Sequence, residues 1–180
     1  MRLHSITAGL AAVLLFALPA LPAMAARYEV QGAISYMGNP SNNYSTPAAF
    51  GEVVFEPSQI GSSDFTWSPD VTAGWIGGRD GSKVAEFAND NPSTRDDVFL
   101  VAGGARFHFG PASAWYQPLF LSFQPAVHTG RTQALSTVYE FVTTVGYQGS
   151  HWSLGVRHIS NGSFHEPNRG ETMLVAGIAF

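Results

Sequence analysis

Apolar and polar residues alternate with period two along most of this chain. In residues 27–37 (RYEVQGAISYM), Tyr28, Val30, Ile34 and Tyr36 fall on one face, and Arg27, Glu29, Gln31 and Ser35 on the other. Such alternation predicts a strand with one apolar face. Tyr28 and Tyr36 stand roughly 26 Å apart along an extended strand at about 3.3 Å per residue. Aromatic residues near both ends of an apolar face resemble the two girdles of a membrane barrel.

The pattern recurs in seven further segments. Residues 47–57 hold Phe50, Val53 and Phe55, which predicts a weaker, bulged strand. In 65–76, Trp67, Val71, Ala73 and Trp75 share a face. In 97–109, Phe99, Val101, Ala105, Phe107 and Phe109 oppose Arg106 and His108. Residues 115–128 give Leu119, Leu121, Phe123 and Val127, and 137–147 give Tyr139, Phe141, Val145 and Tyr147 against Glu140. In 151–160, Trp152, Leu154 and Val156 oppose Ser153, Gly155 and Arg157. The last strand, 172–180, carries Leu174, Ala176, Ile178 and Phe180. The expected fold is therefore all-β: an eight-stranded antiparallel transmembrane β-barrel of the bacterial outer membrane, ending on an apolar-facing aromatic.

Composition bears on the orientation of the two faces. A soluble lipocalin-like barrel or sandwich would carry the same alternation with its apolar face inside. Only 12% of the 180 residues are charged, about half the usual share of a soluble domain. The polar faces hold Gly and Ser beside Arg and Glu, as narrow wet lumens do, and Arg106, Glu140 and Arg157 are expected to form one interior charge network. The net charge is −4, which leaves no basic excess to neutralise phosphates and argues against a nucleic-acid partner. The chain has 0 cysteines, which excludes disulfides, thiolate metal sites and a cysteine nucleophile.

Residues 1–25 read as a cleaved secretory signal peptide. Arg2 and His4 precede an apolar stretch from Ala8 to Leu18, and Ala23-Met24-Ala25 forms an A-x-A site. Pro19 and Pro22 cut the apolar run below the ~20 residues of a spanning helix. Residues 26–180 then form a single barrel domain. With both termini in the periplasm, the outer connections are 38–46, 77–96, 129–136 and 161–171, and the shorter inner ones are 58–64, 110–114 and 148–150. In or just beside the longest outer connection cluster Arg79, Asp80, Lys83, Glu86, Asp90, Arg95, Asp96 and Asp97, read as a solvated loop, with contact to lipopolysaccharide sugars and phosphates as the alternative.

One constellation carries chemistry. Residues 157–171 read RHISNGSFHEPNRGE. Period two puts His158 and Ser160 on the same face as Trp152, Leu154 and Val156, at the outer end of a rising strand. Polar side chains on a lipid-facing surface are costly without a task. A serine hydroxyl becomes a nucleophile when a base takes its proton, and histidine is the natural base near neutral pH. A carboxylate on the other ring nitrogen would orient the imidazole. Glu171 and Glu166 are within chain reach, while Asn161, Asn168 and backbone amides near Gly162 are candidate oxyanion donors. A His-x-Ser pair also arises by chance at barrel rims, and by itself its spacing is weak. His151, His158 and His165 recur every seven residues, which alternates faces on a strand and rules out a joint metal site. No cofactor or metal is expected.

The segment resembles the lipid A 3-O-deacylases of the PagL type, whose signature near the last hairpin runs H-x-S-N-x-G, then P-N-x-G and a glutamate. His158, Ser160 and Asn161 match in order, as do Pro167, Asn168 and Gly170; Ser163 stands where the family has glycine, with Gly162 one place earlier. The resemblance covers residues 158–171 and, in kind, the strand count, the leader and Phe180. It implies a serine–histidine–glutamate triad on the lipid-facing wall, with His158, Ser160 and Glu171 as members. The implied activity is hydrolysis of the ester-linked 3-hydroxyacyl chain at the 3-position of lipid A, with lipopolysaccharide as substrate and outer-membrane lipids as surroundings. The family's glutamate lies two residues after the glycine; here Glu171 follows Gly170 directly and Thr172 comes next. Parity turns Glu171 inward unless the strand starts irregularly, so Glu166 stays open as the alternative acid. Rival readings are a non-catalytic structural or adhesive barrel, and another lipid-modifying barrel such as a phospholipase or acyltransferase. Oligomeric state is open between a monomer and a homodimer.

Overall fold

A computed structural model of the protein describes residues 26–37, 45–79, 96–132, 134–166 and 168–180. The expected signal peptide, most of the first outer connection, Pro167 and the charged run from Asp80 to Arg95 lie outside the described residues. The strands are β1 (Arg27–Met37), β2 (Ser45–Val54), β3 (Ser58–Gln59), β4 (Thr66–Ile76), β5 (Val98–His108), β6 (Leu119–His128), β7 (Tyr139–Gln148), β8 (Trp152–Ser160) and β9 (Glu171–Ala179). Every strand but β3 lies in one antiparallel barrel of eight, closed where β1 pairs with β9 as well as β2. The two-residue β3 folds back on the start of β4, pairing Ser58 with Trp67.

The faces are sorted as the alternation predicts, and the apolar face is outside. Val30 is 64% exposed, Ile178 63% and Trp152 48%. Tyr28, Val101, Val145 and Leu174 join them on the outer wall. A continuous apolar exterior of this kind is stable against lipid, where it replaces no water contact.

The bore is filled in two layers. Toward the inner end, Arg106 and Arg157 share Glu52, with Arg106 Nη2 to Oε1 at 2.7 Å and Arg157 Nη2 to Oε2 at 3.0 Å. Each guanidinium also sits on an aromatic face. Arg106 Cζ is 4.1 Å from the Phe120 ring centre and Arg157 Cζ is 4.6 Å from that of Phe50, a cation–π contact of ~1–2 kcal/mol when desolvated. The rings find room because their cross-strand partners are glycines. A Cβ at Gly74 would lie 2.0 Å from Phe50 Cδ1, and one at Gly146 would lie 2.7 Å from Phe120 Cζ. Toward the outer end the filling becomes apolar: Met37, Ile76, Val98, Leu100, Val142, Ile159 and Met173 pack together. The connection between β6 and β7 dips into this layer and buries Ala134 and Leu135. Burying one leucine is worth ~2 kcal/mol.

Four local expectations are corrected. Residues 45–54 pair one-for-one with β1, without a bulge, and turn Phe50 inward, 3% exposed. Its parity with Ala48 and Glu52 decides this, because an aromatic is needed under Arg157. The strand expected from residue 115 begins at Leu119. Trp115 and Tyr116 lie in successive turns between Pro111 and Leu119, where Pro118 has no amide hydrogen to give a ladder. Glu140 stands apart from the arginine network. It accepts from Thr137 Oγ1 at 3.0 Å and lies 3.6 Å from His128 Nε2, near the outer end.

Candidate active site

β8 carries Trp152, Leu154, Val156, His158 and Ser160 on its outward face, so the predicted pair does reach the lipid side of the wall. His158 is exposed and Ser160 half-buried. The antiparallel ladders set their neighbours. Thr143 of β7 and Thr172 of β9 flank His158, and Phe141 of β7 stands opposite Ser160. Directly opposed residues share a face with their Cβ atoms about 5 Å apart. A band of polar side chains, Thr143, His158 and Thr172, thus crosses three strands on an otherwise apolar exterior.

His158 is held at one nitrogen. Its Nδ1 lies 2.8 Å from Thr172 Oγ1. The edge bearing Nε2 and Cε1 lies over Gly170: a Cβ there would come 2.7 Å from His158 Cε1 and 3.1 Å from Nε2. Gly170 also has φ +67°, a conformation that glycine adopts without steric cost. Two separate demands therefore fall on one residue. Among the described residues, Ser160 Oγ has no hydrogen-bond partner, and Nε2 has none either.

Glu171 does not join the pair. The strand starts at Gly170 with a left-handed residue, yet the register stays regular, with His158 opposite Thr172 and Ile159 opposite Glu171. Glu171 therefore points into the bore, 2% exposed. There it meets Arg79 with two bonds, at 2.6 and 2.8 Å, and accepts from Ser35 Oγ. The irregular start expected to rescue its parity does not do so. A charged residue that ties the base of the longest outer connection to β9 takes no part in orienting His158. Glu166 is exposed, and among the described residues its carboxylate makes no bond to His158. The group on Nδ1 is Thr172, which no carboxylate search of the sequence would find; its only signal there was its lipid-facing parity.

The asparagines serve the loops. Asn161 is fully buried, and its Nδ2 donates to His165 O at 3.0 Å and Ser136 Oγ at 3.3 Å. With its amide turned to match its neighbours, Asn168 donates to Ala134 O at 3.2 Å and accepts from Ser163 N at 3.2 Å. Gly170 N donates to the same Ala134 carbonyl at 3.0 Å. These bonds fasten the last outer connection to the one between β6 and β7. Gly162 and Ser163, at φ +68° and +64°, form a tight turn closed by Phe164 N to Asn161 O at 3.3 Å. Two successive positive φ values mark a type I′ geometry. The structure thus turns both asparagine side-chain amides to other partners and leaves Gly162, exposed and two residues after Ser160, as the remaining oxyanion candidate of the three. Among the described residues no group of three or more His, Asp or Glu could hold a metal ion.

A closed eight-stranded barrel with an apolar exterior and a filled bore is the fold of small bacterial outer-membrane proteins, and it sets this chain in that membrane. No protein-family model matches the chain, and no curated protein matches it. Solved structures do. The outer membrane enzyme PagL superposes with a TM-score of 0.50 at 14% identity, over 84% of this chain and 98% of that one. Neisserial surface protein A gives 0.48 at 13% identity, over 86% and 95%. The Yersinia pestis outer membrane protein Ail gives 0.45 at 11% identity, over 86% and 98%. At such identities the likeness is one of fold.

Proposed function

We propose that this chain is a lipid A 3-O-deacylase, an ester hydrolase that works from the outer wall of the barrel with Ser160 as nucleophile and His158 as base. The observation that carries the reading is the polar pair at the lipid-facing outer end of β8, with His158 Nδ1 held 2.8 Å from Thr172 Oγ1. When Nδ1–H donates to that hydroxyl, Nε2 keeps its lone pair, which is the tautomer a general base requires. The H-x-S-N and N-x-G residues of the last hairpin add the resemblance described above. A lipid-facing site suits a substrate that already lies in the outer leaflet and diffuses laterally to the wall.

In the first step Nε2 takes the Ser160 proton as Oγ attacks the ester carbonyl carbon. The resulting oxyanion accepts a backbone N–H of the 161–163 turn, with Gly162 as the candidate donor. Collapse breaks the bond to the sugar 3-oxygen, which leaves with the proton from His158. Water from the headgroup side then attacks the acyl-serine, with Nε2 again the base, and releases a 3-hydroxy fatty acid. Thr172 orients the ring without a countercharge for the imidazolium. Residues 1–25 act as the export signal, and the partners are lipid A and the surrounding outer-membrane lipids.

Mass spectrometry of lipid A incubated with the purified barrel tests this. The expected result is loss of one 3-hydroxyacyl group, absent with Ser160→Ala. One observation favours a non-catalytic barrel instead: among the described residues no carboxylate bonds His158. An unchanged lipid A spectrum with folded wild-type protein would decide for it.

A further inference from the structure

Ser160 has two dissimilar sides. Toward β9 lie the Thr172 hydroxyl, the edge of the His158 ring and bare backbone at Gly170. Toward β7 lies Phe141, its direct cross-strand partner. Phe141 is the middle of a row of three rings. Phe123 of β6 stacks on it with centroids 5.6 Å apart and planes at 16°, and Phe164 meets it edge-on at 6.2 Å and 70°. Phe123 is 46% and Phe164 74% exposed, so the row is open to the membrane. The other outward ring pairs among the described residues, Phe65 with Phe109, Trp115 with Tyr116 and Tyr147 with Trp152, lie at the inner end of the barrel. Among the described residues, the outward ring contacts at the outer end are those beside the serine.

We infer that this row is the track on which the acyl chain under attack lies, with Phe141 setting its direction at the ester. The inference rests on the esterase reading and assigns the acyl side of the site to β6 and β7. The polar, β9 side is left to the alcohol portion of the substrate. The physical role is orientation. An acyl chain in a bilayer is already in an apolar solvent, so the rings add no hydrophobic transfer energy. Flat faces fixed by mutual packing restrict where a long chain runs along the row, which holds its carbonyl carbon near Oγ. The effect belongs in turnover of long chains, which the track can align, and not in turnover of short ones.

The test measures hydrolysis of an ester series from butyryl to myristoyl by the full-length barrel in detergent micelles. Retained heat-modifiable mobility is the criterion of folding. Wild type is expected to favour the longest chains by about tenfold. Phe141→Ala should erase that preference while leaving butyryl turnover within about twofold; Phe141→Leu should keep part of it. Phe123→Ala, farther from Ser160, should affect the longest esters only. A purely anchoring aromatic would leave the chain-length profile unchanged, and that result, or an equal loss at every length, overturns the track. Ser160→Ala is assayed beside them. If it still hydrolyses the esters, the esterase reading itself fails; if it is inactive while the Phe141→Ala profile matches wild type, only the track fails.

Discussion

His158 and Thr172 face each other across the β8–β9 ladder, joined at 2.8 Å between Nδ1 and Oγ1 on the outside of the barrel. A hydroxyl in this place fixes the ring but carries no charge. On the proposed mechanism, the imidazolium would therefore be stabilised less than beside a carboxylate. Thr172→Val removes the hydrogen bond and should lower single-turnover acyl release by about tenfold. Thr172→Glu should raise it by about the same factor, because a carboxylate on the outward face reaches Nδ1 and compensates the developing charge. A Thr172→Val enzyme as fast as wild type would remove Thr172 from the mechanism.

Gly170→Ala should impair turnover more than folding. The left-handed backbone costs an alanine about 1–2 kcal/mol, which a barrel of this size tolerates. The new Cβ would stand 2.7 Å from His158 Cε1, so the ring must rotate off Thr172. The check is paired: a urea midpoint for stability and an ester assay for activity, with the larger loss in the second.

Ser163 is the one non-glycine residue with positive φ among those described, at +64°. Ser163→Gly should stabilise the barrel by about 1 kcal/mol by relieving that strain, and Ser163→Val should destabilise it. Equilibrium unfolding of the refolded protein in lipid measures both.

Glu171→Gln is expected to be a stability variant. It cuts the double bond to Arg79 inside the outer mouth, and breaking a buried ion pair costs on the order of 3 kcal/mol. Turnover per folded molecule should stay within about twofold of wild type. A folded variant that has lost its activity would return Glu171 to the chemistry.

Parity carried most of what could be read without coordinates. It gave the strand number, the lipid-facing wall and the common face of His158 and Ser160, because one side of every strand meets a different solvent from the other. It also turned Glu171 inward, and the structure agrees with the bare alternation over the irregular strand start that would have escaped it. What stayed hidden depends on contacts between distant strands. Phe50 breaks the apolar-outside rule because Arg157 rests on its ring and Gly74 clears space for it. Asn161 and Asn168 looked like oxyanion donors, yet their amides are spent on Ser136, His165 and Ala134. Those partners lie in a neighbouring loop whose approach no local pattern encodes. Thr172 went unassigned because its role is visible only once β9 is registered against β8.

The two-layer filling of the bore bears on the cell as well as on the fold. Among the described residues, Arg106 and Arg157 bolted to Glu52 fill the bore at one level, and the cluster of Leu135, Met37, Ile76 and Met173 fills it at another. A bore filled in this way is expected to pass no ions, so a membrane crowded with this protein should stay electrically tight. Its abundance is then free of the osmotic and antibiotic-entry penalty that open pores impose. Planar bilayers carrying many copies should hold their baseline conductance.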